Sequence, residues 1–145
     1  MYTIGQVSKM FNIPVSTLRY YDKEGLFPTM QRESGIRQFS DNELEALRVI
    51  DCLKKSGLEI KDIKKFMDWN QQGPETYSDR YDLFVKQKAV MEEEIESMKR
   101  VLSMIEYKIW YYSQAMADGN EDRVNEMIPD GLPAAVRVQY EHSHS

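Results

Sequence analysis

The sequence predicts a mainly α-helical protein: a head of short helices carrying one small β-hairpin, followed by a single long helix of coiled-coil type. Three observations predict it. Cap and turn residues divide residues 1–70 into short amphipathic segments. A Ser34-Gly35 turn separates two short runs, Met30–Arg32 and Ile36–Phe39. From Tyr81 onward, apolar residues recur at alternating steps of three and four.

The elements follow in order. Thr3 is a good N-cap, and Ile4, Val7 and Phe11 share one helical face. Asn12-Ile13-Pro14 breaks this helix. Ser16 is read as the cap of a second helix that runs to about Lys23 and ends at Gly25. Leu26-Phe27-Pro28 is extended, because Pro28 disfavours helix just before it. The hairpin follows. Ser40 and Glu43 form a capping box that opens a third helix, with Leu44, Leu47, Ile50 and Leu53 buried and Gly57 at its end. A fourth helix covers Ile60 to Trp69, burying Ile63, Phe66 and Met67, and 70–74 is a linker.

The long pattern occupies eleven positions: Tyr81, Phe84, Lys88, Met91, Ile95, Met98, Leu102, Ile105, Ile109, Tyr112 and Met116. All but Lys88 are apolar or aromatic, which makes a coiled-coil seam. A helix from Ser78 to Met116 would be about 58 Å long at about 1.5 Å per residue. That length needs a partner, and a second copy is the simplest one. Phe84, Met91, Ile95, Met98, Leu102, Ile105, Ile109 and Tyr112 are the dimerisation candidates. Lys88 would cost stability in the seam but can fix register. Beyond Gly119-Asn120, the residues Pro129, Gly131 and Pro133 predict a mostly irregular tail with a frayed end from Glu141. Within it Ile128, Leu132, Val136, Val138 and Tyr140 are expected to pack on something. The expected divisions are thus 1–70, 76–117 and 118–145.

Composition limits the function. With 41% hydrophobic and 30% charged residues, the chain reads as a folded protein. It has no apolar run long enough to span a membrane. MYTIGQVSKMF lacks the basic start and apolar stretch of a signal peptide, so a cytoplasmic location is expected. A single cysteine, Cys52, excludes an internal disulfide and a multi-cysteine zinc site. The net charge is −5, unevenly spread: residues 1–40 hold five Lys/Arg against three Asp/Glu, residues 76–145 eight against thirteen. One end is therefore suited to an anionic partner. No glycine-rich phosphate loop, metal cluster or nucleophile–base pair is present, so neither an enzyme nor a cofactor is expected.

Two short helices around a tight break have the form of a helix-turn-helix. In the second, Leu18 packs inward, while Ser16, Thr17, Arg19 and Tyr20 lie near the helix start. There Arg19 can pair with phosphate or with guanine O6 and N7, and the hydroxyls with phosphate. Spacing alone leaves two functions open: DNA binding, or a coiled-coil module whose head binds another protein.

Several stretches in order resemble one family. They are Tyr2-Thr3-Ile4-Gly5-Gln6-Val7-Ser8-Lys9, Thr17-Leu18-Arg19-Tyr20-Tyr21-Asp22, Gly25-Leu26, the wing-like Ser34-Gly35-Ile36-Arg37-Gln38-Phe39-Ser40, and Gly57 through Phe66. Over about residues 1–69 the chain resembles the MerR family of bacterial regulators. The resemblance implies a winged helix-turn-helix and an antiparallel coiled-coil homodimer. It implies double-stranded promoter DNA and RNA polymerase as partners. It also implies activation by bending and untwisting an overlong promoter spacer. By the same resemblance Arg19 and Tyr20 work in the major groove, Arg37 and Arg32 hold backbone from the wing, and Lys61 meets phosphate. The full candidate set is Thr3, Ser16, Thr17, Arg19, Tyr20, Arg32, Arg37 and Lys61. Ile36 departs from the family's usual tyrosine, and Glu59 from its usual serine or threonine.

The family's metal sensors carry cysteines near the end of the dimer helix. Gln114 to Asp130 has none, so metal sensing is not expected, and His142 and His144 are read as a solvated tail pair. The family's large drug-binding domain is not expected either. Cys52 lies on the third helix between Arg48 and Lys55, cations that would favour its thiolate. Its placement resembles the subgroup that responds to aldehydes and nitrosative stress. Burial as a small apolar side chain is the competing reading. A non-covalent pocket among Tyr107, Trp110, Tyr111, Tyr112 and Met116 is weighed against packing of that end on a partner's head, and packing is favoured.

Overall fold

The computed structural model describes all of residues 1–145. The elements are α1 (Ile4–Phe11), α2 (Val15–Lys23), β1 (Gln31–Glu33), β2 (Ile36–Gln38), α3 (Asp41–Lys55), α4 (Ile60–Asn70), a 3₁₀ turn Pro74–Thr76, α5 (Tyr77–Asp118), α6 (Asp122–Glu126) and α7 (Ala134–Ser143). They group into two compact units, Met1–Lys88 and Ala89–Ser145.

In the first unit, α1 opens on a capping box: Thr3 Oγ1 accepts from the Gln6 amide at 3.2 Å, and Gln6 Oε1 accepts from the Thr3 amide at 2.9 Å. The expected Ser16 cap does not form. Pro14 takes the N-cap position of α2, because the helix starts one residue earlier, at Val15. The Pro14 carbonyl accepts from Thr17 and Leu18 at 3.0 and 3.2 Å, so Ser16 lies inside the first turn. α2 stops at Gly25, whose φ of +80° favours glycine, and the Lys64 side chain fills the space a Cβ would need.

The two strands pair antiparallel, with Arg32 directly opposite Arg37. A Tyr2–Phe39 bridge, with hydrogen bonds of 2.8 and 2.9 Å, ties the end of this hairpin to the N-terminus. The Ser40/Glu43 box forms, with the Ser40 amide donating to Glu43 Oε2 at 3.2 Å and the Ser40 hydroxyl to the same oxygen. Glu43 is buried, and its second oxygen accepts from Thr29 at 3.2 Å. The core joins Val7 and Leu18 to Leu26, Phe39, the α3 stripe of Leu44, Leu47, Ile50 and Leu53, and Ile63, Phe66 and Met67 of α4.

The first turns of α5 belong to this unit. Arg80 donates to the carbonyls of Trp69 and Gln72 at 2.6 and 2.9 Å, capping the end of α4. Phe84 packs edge-on to Phe66 at 5.3 Å. Gln87, buried, donates to the Ser56 carbonyl at 3.1 Å and lies 3.0 Å from its hydroxyl.

In the second unit the rest of α5 carries the tail. The expectation of a mostly irregular tail is corrected: α6 and α7 form, and α7 runs to Ser143. Pro129 and Gly131 lie in the turn between these helices, and Pro133 starts α7 rather than breaking it. Val124, Leu132 and Val136 close over Tyr107 and Tyr111 of α5. Tyr107, Trp110 and Tyr111 thus pack on this chain's own tail, while Tyr112 and Met116 stay exposed. Ile128 and Tyr140 join it, whereas Val138 stays exposed. His142, expected in a frayed end, is held by Ser103 Oγ and Glu96 Oε1, both at 2.8 Å. No helix is long and apolar enough to cross a membrane.

Candidate nucleic-acid interface

α2 is amphipathic by burial. Leu18 and Tyr21 face the core, and burial pushes the Tyr21 phenol pKa up, with Asp51 adding to the effect. Ser16, Arg19 and Tyr20 are exposed, and Thr17 is half-buried. Arg19 forms no ion pair within the chain. Its guanidinium is therefore available to an external anion.

The wing stands beside this helix. Arg32 Nη2 and Arg37 Nε both reach Oδ2 of Asp22, at 2.6 and 2.7 Å. The Asp22 side chain is 8% exposed, against 23% for Arg37 and 49% for Arg32. In the sequence Asp22 stands out only as the end of the Thr17–Asp22 motif. Its signal was the hairpin register: two arginines opposite one another need a counter-charge.

The other candidates are distributed as follows. Thr3 is exposed, but its hydroxyl serves the α1 cap. Lys61 is exposed at the start of α4, 3.5 Å from Glu59, and it shares a shallow hollow with Tyr20, Glu24, Lys54, Glu59, Ile60 and Lys64. Asp22 thus brings Arg32 and Arg37 of the hairpin to the end of α2, one helical turn after Arg19, and Lys61 lines a hollow with Tyr20.

Cys52 is exposed, which overturns its reading as a buried residue. The two expected cations are already engaged: Arg48 with Glu45 at 3.1 Å and Lys55 with Asp51 at 2.8 Å. The hydrogen bond and charge of Asp51 hold the Lys55 pKa up. On α5, Ile95, Met98, Leu102, Ile105, Ile109 and Tyr112 are all at least half exposed in the single chain, Phe84 is also exposed, and Met91 is half-buried.

Residues 2–69 match the profile of the MerR HTH family regulatory proteins. Over 131 residues the chain is 39% identical to an uncharacterized HTH-type transcriptional regulator of Haemophilus influenzae, covering 89% of this chain and 97% of that one. Its fold is similar to HiNmlR, a MerR family regulator lacking the sensor domain, solved bound to promoter DNA. The TM-score is 0.75 at 37% identity, over 84% of this chain and 98% of that one. A MerR family regulator from Bacillus thuringiensis matches at TM-score 0.69 and 44% identity, over 74% and 96%. With residues 2–69 matched, a hairpin tied to α2 and these relatives matched along nearly their whole length, the chain belongs to the MerR family of DNA-binding transcription regulators.

Proposed function

We propose that two copies of this chain bind one promoter, with α2 of each in a major groove and the wing on the flanking backbone. One observation carries the reading: Arg19 is exposed and unpaired on the outer face of α2, one helical turn before the Asp22 that binds two wing arginines. Arg19 then reads a base edge, Ser16 and Thr17 meet phosphate at the helix start, and Arg37, Arg32 and Lys61 hold backbone. Tyr20 lies along the groove wall. Thr3 acts through the α1 cap. A relative solved on promoter DNA supports this arrangement.

The exposed seam of α5 supports an antiparallel homodimer. A stripe from Ile95 to Tyr112 left in water would be a standing liability, and a second copy covers it. The dimer bends and untwists an overlong spacer so that RNA polymerase engages both promoter elements. Cys52 is the candidate for effector response, on its exposure on α3. Replacement by serine should abolish induction by reactive aldehydes; induction that survives removes Cys52 from the mechanism.

The test of the DNA reading is a gel shift on the chain's own upstream promoter, against a scrambled duplex, at several salt concentrations. Specific binding that weakens steeply with salt and is lost in Arg19→Ala is expected. Equal binding to both duplexes would favour the protein-interaction module instead.

A further inference from the structure

Asp22 carries the wrong sign of charge for the surface it occupies. A carboxylate on an edge that meets phosphate repels it. Yet Asp22 is placed at the end of the recognition helix, 8% exposed, beneath two guanidinium groups.

The reason lies in the hairpin. Each strand has three residues, too few to hold a shape alone. Arg32 and Arg37 are direct cross-strand partners, and like charges there destabilise the pairing. Oδ2 of Asp22 accepts from both, 2.6 Å from Arg32 Nη2 and 2.7 Å from Arg37 Nε. The cluster keeps a net positive charge, since one carboxylate faces two guanidiniums. Neither arginine makes another hydrogen bond within the chain. Each guanidinium has five N–H donors and spends one here, so four remain for phosphate oxygens.

We propose that Asp22 is a positioning residue for DNA binding. It locks the wing to the recognition helix and aims Arg32 and Arg37, so that helix and wing meet the duplex as one preset edge. This rests on the DNA-binding reading above. Preset donors lose less freedom on binding than mobile ones, which is where the gain in affinity arises.

The test is Asp22→Asn in the full-length protein, because charge and positioning predict opposite signs. Removing a carboxylate near DNA strengthens binding if only charge matters. If Asp22 positions the wing, affinity for the promoter duplex falls about tenfold or more, and the preference over a scrambled duplex falls with it. Asp22→Glu, which keeps the charge, recovers part of the loss. On an Arg32→Ala, Arg37→Ala background, D22N has nothing left to position and raises affinity instead. In the free protein, the Arg37 Nε–H resonance is protected from solvent exchange in the wild type and loses that protection in D22N. Promoter binding by D22N as tight as wild type, or an Arg37 Nε–H unprotected in the wild type, overturns the proposal. Should D22N lose its helical circular dichroism, the wild-type Arg37 resonance and the Asp22→Glu binding decide. A wild type that prefers neither duplex would refute the DNA reading, while the Arg37 resonance still judges the lock by itself.

Discussion

The Tyr111 hydroxyl donates to Glu121 Oε1 at 2.7 Å and sits 2.8 Å from Asn125 Oδ1, so one side chain on α5 holds the start of α6. The hydrogen bond to Glu121, then burial, then the charge of Glu121 push its pKa up to about 12. A pKa raised on folding stabilises the native state below the ordinary tyrosine value of about 10, and this stabilisation fades as pH rises through about 12. Tyr111→Phe should therefore lower the Tm at neutral pH, and the gap to wild type should close between about pH 10 and 12 in thermal melts. Glu96 has the opposite sign. Its hydrogen bond to His142 lowers its pKa, so its contribution is present above the ordinary carboxylate range and is lost as pH falls through the depressed value. At this scale the sequence was partly legible. Arg19, Tyr20 and Ser16 could be named because their exposure follows from helical spacing around Leu18. Asp22 could not, because its partners lie ten and fifteen residues away and meet it only once the hairpin register exists. The Lys55–Asp51 pair is one helical turn long, yet the sequence puts three cations, Arg48, Lys54 and Lys55, within a turn of Asp51, and only the structure selects one.

Helices α1 to α4 were legible because each is signalled within a turn or two of its own ends. The Ser40/Glu43 box, the stripe Leu44–Leu47–Ile50–Leu53 and the stop at Gly57 are all short-range. Ser40→Ala should cost about 1 kcal/mol, as other N-cap deletions do, measured by urea denaturation. α6 and α7 were missed for the converse reason. Five and ten residues are too short to form helix by propensity, and it is burial of Val124 and Val136 on Tyr107 and Tyr111 that holds them. Proline in the intervening segment suggested irregular chain, but it punctuates a turn. Replacing His142 with alanine removes two contacts of α7 with α5, and amide exchange across residues 134–143 should speed up while exchange in α3 stays unchanged.

For the whole molecule, the deciding quantity is the apolar stripe that one copy cannot cover. α5 is 42 residues long, about 63 Å at about 1.5 Å per residue, and the Ile95–Tyr112 stretch of its seam is exposed. Leu102→Asp places a charge in the middle of that stretch. It should weaken self-association by at least about tenfold, or about 1.4 kcal/mol, in sedimentation equilibrium, while leaving the head folded. An unchanged assembly state would mean that the stripe serves some other partner. Promoter affinity should fall with dimerisation, since two half-sites are then held by separate molecules.

The hydrogen bond from Gln87 to Ser56 also sets where this protein can be cut. Residues 2–69 carry the family signature, yet α4 ends on carbonyls satisfied by Arg80, Phe66 leans on Phe84, and the last turn of α3 is closed by Gln87. A fragment trimmed at the linker would keep every side chain proposed to face DNA and lose the contacts that α5 makes with α3 and α4. A stand-alone head would accordingly have to run to about Lys88, some nineteen residues beyond its family signature.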